Sequence, residues 1–349
     1  MIFTSDNWAG AHPAIAASLN AHAAGFAPAY GTSELDKKVE ATFNEIFGRE
    51  VAVFFVGTGT AANSLALSSV NRPGGVVFCH HDAHVIADEC GAPEFFSQGA
   101  RLAPVSGTDG KIDPAALEAE IARYPKEFVH AGQPMAITLT QATEAGTVYQ
   151  PDEIRAISNI AKAHGLPLHM DGARFANAIV YIDISPAEMT AYLGVVILSF
   201  GCTKNGCWFA EALVFLDPQM ASQAPFIRKR AAQLFSKSRF IAAQFDAYFE
   251  NDLWLDIARH ANRMAARLQD GLLASKNARL AWKCDANEIF PIISQTKAAS
   301  LRNEGAMFYD WNPPRPHGDL VAEDEGMFRL VTSFATTEAD VDRFIEVLG

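Results

Sequence analysis

Val195-Val196-Ile197-Leu198-Ser199-Phe200 runs directly into Gly201-Cys202-Thr203-Lys204-Asn205-Gly206-Cys207. A short run that is apolar almost throughout and ends in glycine and polar residues reads as a strand buried on both faces. A lysine at such a strand end is unusual, because taking an ammonium out of water is costly. The same desolvation lowers its pKa and makes the amine nucleophilic toward a carbonyl. A lone lysine is ordinarily a surface residue. The strand before Lys204, and Asp171 at the end of another apolar run upstream, weaken that ordinary reading.

Similar apolar runs occupy residues 51–56, 75–79, 136–139, 166–170 and 212–216. Amphipathic stretches with helix-start signals lie between them. Asp113-Pro114 places a cap and then proline, with Leu117, Ile121 and Tyr124 on one face. Ser185 and Glu188 have capping-box spacing. Asp152 is expected to open a helix that buries Ile154 and Ile157, and Gly165 to close it. Strands alternating with helices predict a mainly parallel α/β sheet, whose ligands lie beyond the carboxyl ends of the strands. Past residue 225 the pattern changes. Helices are expected over 227–249 and 253–273, a strand over 328–334 and a terminal helix over 337–348, which together predict a smaller α+β domain. The stretch Asn312-Pro313-Pro314-Arg315-Pro316-His317-Gly318 and the acidic Glu323-Asp324-Glu325 read as surface connections.

The strand ends hold the chemistry. Gly57-Thr58-Gly59-Thr60-Ala61-Ala62-Asn63, expected to lead into a helix over 64–70, lets backbone N–H groups approach an anion at a helix N-terminus. The same loop fits a dinucleotide fingerprint, with Asp82 about twenty residues on, and by itself it does not choose between the two. His80-His81-Asp82-Ala83-His84 suggests metal ligands, but solvated loop histidines are the plainer reading and no metal is expected. His84, with Val85 and Ile86 after it, is placed to stack on a planar ring. His169-x-Asp171 matches part of an iron facial triad, a reading ill suited to an α/β chain. The other reading of Asp171 is a buried anion paired with a cationic ring nitrogen. An anion site, a stacking platform, a carboxylate and an amine are together what pyridoxal phosphate needs.

The bulk numbers agree. The chain has 349 residues, 49% hydrophobic and 19% charged, with a net charge of −12. That length favours a large domain plus a smaller one. The acidic surface disfavours nucleic acid and anionic membranes as partners. No run is apolar and long enough to span a membrane, and nothing at the N-terminus reads as a signal peptide. An odd number of cysteines without a C-x-x-C pair fits reduced thiols in the cytoplasm.

On these residues the sequence resembles the threonine aldolase and β-eliminating lyase family of fold-type-I pyridoxal-phosphate enzymes. The carrying segments are Ser5-Asp6-Asn7, Tyr30-Gly31, Gly59 to Asn63, Ala83-His84, Glu89 to Glu94, His169 to Arg174, Thr203 to Gly206 and Phe328 to Val331. His169 to Arg174 and Thr203 to Gly206 are most similar to the low-specificity bacterial L-threonine aldolases. The resemblance implies an aspartate-aminotransferase-like large domain over 21–240, after an N-terminal segment 1–20 and before a small domain 241–349. It implies a homodimer or homotetramer with active sites at the subunit interface. Lys204 would hold the cofactor as a Schiff base, Asp171 would keep the ring nitrogen protonated and His84 would stack on the ring. Gly59 and Thr60 would hold the phosphate, Thr203 would also contact the cofactor, and Lys237 would reach the phosphate of a neighbouring subunit. Ser5, Arg174 and Arg329 would bind the substrate carboxylate, with Arg174 also near the cofactor and Tyr30 lining the site.

The implied reaction is retro-aldol cleavage of L-threonine, L-allo-threonine or a relative such as phenylserine to glycine and an aldehyde. One departure stands out. Many relatives carry Asn-Thr-His after the strand at 136–139, where this chain reads Gln141-Ala142-Thr143-Glu144. Glu144, His84 or water is then the candidate base for the β-hydroxyl. β-Elimination on an aromatic or sulfur amino acid, a nicotinamide-dependent oxidoreductase using the 57–62 loop and a non-catalytic binding protein are the rival readings.

Overall fold

The computed structural model describes residues 1–312 and 320–349. The proline-rich connection after Asn312 lies outside the described residues.

The larger sheet has seven strands: β1 Ala52–Val56, β2 Gly75–His80, β3 Arg101–Val105, β4 Gln133–Thr140, β5 Leu168–Gly172, β6 Ile197–Gly201 and β7 Glu211–Phe215. Their order is β1-β7-β6-β5-β4-β2-β3. β7 pairs antiparallel with both neighbours, and the remaining pairings are parallel. The apolar runs all became strands, and β2, β5, β6 and β7 are buried along their whole length. β3 corresponds to none of the apolar runs. It is an edge strand whose Arg101 and Pro104 are exposed, and an edge tolerates a proline that lacks a donor.

The strand order decides one rival reading. A dinucleotide site needs the Gly-rich turn and the following strand in one parallel βαβ unit. Here β1 is an edge strand, and β7, β6, β5 and β4 separate it from β2. Asp82, just past β2, is therefore not beside the 57–62 turn as that fingerprint requires.

Several helix boundaries also moved. The helix after β1 is Gly59–Ser69, starting before residue 64, because the Thr58 side chain accepts from Ala61 N and caps it earlier. Gln150, not Asp152, caps Pro151–His164, with Glu153 reaching back to the Gln150 N–H at 2.6 Å. Asp152 sits in the first turn, and Gly165 closes the helix at φ 67°. The stretch 227–249 is two helices, Ala224–Arg230 and Arg239–Phe249, interrupted near Ala232 at φ 58°.

A second sheet joins β8 Ala278–Leu280, β9 Glu288–Ile289, β10 Pro291–Ser294, β11 Tyr309–Trp311 and β12 Glu325–Val331. The larger core runs through Phe43, Phe200, Phe245, Tyr248, Trp254 and Ala258, and the smaller one takes over at Met264. The change of core thus falls inside the helix Leu253–Ala274. Phe3 packs in the smaller core, so the first residues of the chain fold back onto its C-terminal part. Among the described residues no helix is long and apolar enough to cross a membrane.

Candidate active site

The carboxyl ends of β1, β5 and β6 open on a cavity of about 300 Å³. Asp171 lies in β5 and Lys204 in the turn Thr203–Asn205 after β6, and both line it. So do His84 and the first turn of the helix Gly59–Ser69. The N–H groups of Gly59 and Thr60 precede any intrahelical acceptor, which leaves them for an anion. A Cβ on Gly59 would meet nothing within 4 Å, so the approach is open. Gly57 is different: its Cβ would lie 2.1 Å from the Phe209 ring, which lines the same cavity.

Asp171 is fixed from two sides. Ala173 N donates to Oδ1 at 3.1 Å and Asn63 Nδ2 to Oδ2 at 2.8 Å. Asn63 Nδ2 also donates to Glu89 Oε1 at 2.8 Å, and His84 Nδ1 lies 2.8 Å from that same oxygen. A single amide thus ties Asp171 to the carboxylate that orients the His84 imidazole. The Glu89 hydrogen bond, opposed by burial, raises the pKa of His84.

A charged cluster lies near enough for Lys204 to act on its Asp6. Arg174 is buried; its Nε and Nη2 donate to Asp6 at 2.8 and 3.2 Å, and Nη1 is 2.9 Å from Glu288 Oε2. The expected carboxylate anchor is therefore already held by two carboxylates of the chain itself. Burial pushes Glu288 up to about 7 despite Arg174 and Arg329 nearby. Arg329 is less committed. Its guanidinium lies 4.6 Å from the Trp311 ring centroid and 3.7 Å from Glu288, and its buried Nε has no partner. Glu144 lines a second cavity of about 650 Å³ with Trp282 and Trp311. Burial works against its charge, but Lys204, Arg174, His84 and Arg329 outweigh burial and lower its pKa. Its Oε1 is buried without a hydrogen-bond partner, which is not how a helix cap is placed.

Other expected residues lie elsewhere. Ser5 caps the short turn Asp6–Trp8 through Asn7 N, and Asn7 rather than Ser5 lines the smaller cavity. Tyr30 (φ 61°) and Lys237 are exposed and do not line that cavity. Thr203 lines it, and its Oγ1 exchanges hydrogen bonds with Ala210 at 3.3 Å. His169 faces away, between Thr138 and Ser199, and burial pushes its pKa down to about 3, which leaves no facial triad. His80 is buried rather than solvated, and burial lowers it to about 4. The donor atoms of His80, His81 and Asp82 lie within 4.8 Å of one another.

Glu288, Glu211 and Phe209 carry no signal in the sequence. Asp6, Asn7, Asn63 and Glu89 lie within the segments that carry the resemblance, which by itself assigns them no role. Asn63 is one turn beyond Gly59, a spacing that puts both at the same end of one helix face.

A sequence profile of the β-eliminating lyase family matches residues 3–293. The chain belongs to the β-eliminating lyase family. Members of this family are pyridoxal-phosphate-dependent lyases. The chain is 41% identical over 307 residues to the low-specificity L-threonine aldolase of Pseudomonas aeruginosa, covering 88% of each. The corresponding enzyme of Pseudomonas sp. matches equally well. Among solved structures, the Leishmania major threonine aldolase superposes with a TM-score of 0.91 at 30% identity, over 99% of this chain and 98% of that one. A serine palmitoyltransferase from Sphingomonas wittichii, at 15% identity and a TM-score of 0.72, shares the fold alone.

The cavity of this β-eliminating lyase relative fits pyridoxal phosphate by its donors. The helix N-terminus at Gly59 could receive a phosphate, Asp171 a ring N–H, and Lys204 an aldehyde carbon. The buried Oδ1 of Asn63 and Oε2 of Glu89 have no partner in the protein, as expected where a polar group is to be received.

Proposed function

We propose that the chain cleaves L-threonine, L-allo-threonine or a related β-hydroxy-α-amino acid to glycine and an aldehyde. The observation that carries this reading is Lys204 and Asp171 facing one cavity with the N-terminus of the helix Gly59–Ser69. The likeness to low-specificity threonine aldolases supports the choice of reaction. Bound pyridoxal phosphate supplies the electron sink for the Cα–Cβ pair. Gly59, Thr60 and Thr203 would hold its phosphate, Asp171 would keep a proton on its ring nitrogen and His84 would pack against the ring. Arg329 receives the substrate carboxylate and turns the scissile bond toward the ring, and Arg174 contributes only by sharing Nη groups already given to Asp6 and Glu288. Glu144, ionised in the field of four cations, takes the β-hydroxyl proton. The purified protein should absorb in the visible, lose that band on borohydride reduction and release glycine from threonine. A colourless protein that pyridoxal phosphate does not bind sinks the reading.

A second copy of the chain completes the site in this proposal. Tyr30 and Lys237 stand outside the cavity in one protomer, and Phe26, Trp208 and Phe226 are exposed aromatic side chains. A dimer or tetramer in light scattering is the expected result. Cysteines without disulfides support a cytoplasmic setting.

Arg329→Lys is expected to raise KM for amino-acid substrates about 10- to 100-fold, the worth of a charge-assisted hydrogen bond and the lost planar fork. Pyridoxal-phosphate affinity should barely move. Titration showing that cofactor affinity collapses instead would make Arg329 a phosphate ligand.

Glu144→Gln keeps size but removes the base. Threonine cleavage should slow by roughly 10²-fold, the low end of general-base contributions. Exchange of the glycine α-proton, which involves no hydroxyl, should persist, as NMR in deuterated water would show. Equal losses in both reactions would give Glu144 a structural role.

A further inference from the structure

Glu211 opens β7 in register with Gly201 of β6 and Val56 of β1. It therefore stands between the strand end that carries Lys204 and the one that carries the anion-binding turn. It is 6% exposed and lines the cavity with Thr58, Gly59 and Thr60. Its carboxylate accepts hydrogen bonds from Cys202 N at 3.3 Å and Thr203 N at 3.4 Å, and the Thr203 side chain also favours its charged form. Among the described residues no cation lies within ion-pair distance of it, although Lys204 acts on it through its field. A buried carboxylate thus shares a small pocket with a site built for an anion. Two negative groups there cannot both stay charged without a large cost, because like charge and low dielectric both disfavour the second ionisation.

The groups facing Glu211 leave it as the one to change. Lys204 and Cys202 lie on the turn after β6, and Tyr248 reaches in from the helix Arg239–Phe249. Burial drives the Cys202 thiol and the Tyr248 phenol well above their ordinary values, so both stay neutral. Asp171 and His84 line the same cavity, where Asn63 and Glu89 already hold them. The helix N-terminus brings only N–H groups and hydroxyls. Burial has pushed Glu211 up to about 7 before any phosphate is present.

We propose that Glu211 is a positioning residue that takes up a proton when the cofactor's phosphate binds and then holds that phosphate as a neutral O–H donor. The O–H bond forms on the Glu211 carboxylate, and the proton comes from the buffer. The inference rests on the reading of this cavity as the pyridoxal-phosphate site. It makes cofactor loading proton-linked: the uptake is largest above the empty-site pKa, where Glu211 begins ionised.

Calorimetric titration of cofactor-stripped protein with pyridoxal phosphate, at about pH 7.5 in two buffers of different ionisation enthalpy, counts the protons. Wild type should take up roughly half to one proton more per site than Glu211→Gln. Both should develop the visible cofactor band, with affinities within about tenfold of each other. Wild type titrated with pyridoxal, which lacks the phosphate, should likewise lack the extra uptake, and this arm decides the matter if the variant does not fold. Equal proton counts for pyridoxal and pyridoxal phosphate, or for wild type and Glu211→Gln, overturn the proposal while the visible band leaves the cofactor reading standing. Absence of the band in wild type overturns both.

Discussion

Lys204→Ala should lose turnover by roughly four orders of magnitude or more, the scale on which removing a covalent catalytic group acts. The reason is positional. Lys204 stands in the turn Thr203–Asn205 directly after β6, in one cavity with Asp171 and the free N-terminus of the helix Gly59–Ser69. No other lysine lines that cavity among the described residues. The neighbouring Asn205 Nδ2 donates to Tyr248 Oη at 2.6 Å and to Trp254 O at 2.9 Å, so the turn is anchored without the lysine side chain. The variant should therefore fold, with an unchanged circular dichroism spectrum and a thermal midpoint near that of wild type. Borohydride reduction followed by peptide mass spectrometry should place the cofactor on Lys204 alone in the wild type. A label on any other lysine, or a variant with ordinary activity, ends the assignment.

Asp171→Ala should lower kcat on the order of 10³-fold, the worth of a preorganised charge at a developing charge in a site shielded from water. The carboxylate makes a charge-assisted hydrogen bond to a ring N–H⁺, and alanine leaves nothing to keep that proton in place. Asn63 would lose one of its two acceptors, Asp171 Oδ2, but keep Glu89 Oε1, so His84 stays oriented. Asp171→Asn separates charge from shape. If it retains most of the activity, Asp171 holds the ring by packing and hydrogen bonding rather than by charge. The absorbance of the bound cofactor gives an independent readout, since loss of the ring proton shifts the band whether or not turnover is measurable.

Much of this site was legible before the fold was known, and the reason is local. Lys204, Asp171 and the Gly57–Asn63 turn each follow an apolar run, and a run buried on both faces must deliver its next polar residue to the end of a sheet. The order of these elements along the chain, and the resemblance of the segments around them, then pointed to one cofactor. Helix starts at Asp113, Ser185 and Thr337 were equally readable, because a cap acts within three residues. What the tertiary structure alone decided depends on partners far apart in sequence. The antiparallel β7 beside β1, which separates the glycine-rich turn from Asp82, leaves no periodic trace in either strand. The two carboxylates that occupy Arg174 come from the first residues of the chain and from β9, and charge pairing at such separations has no sequence period. Glu144 shows the division most plainly. Its place after an apolar strand announced a strand-end carboxylate, but only the convergence of Lys204, Arg174, His84 and Arg329 around it keeps that carboxylate charged although it is buried.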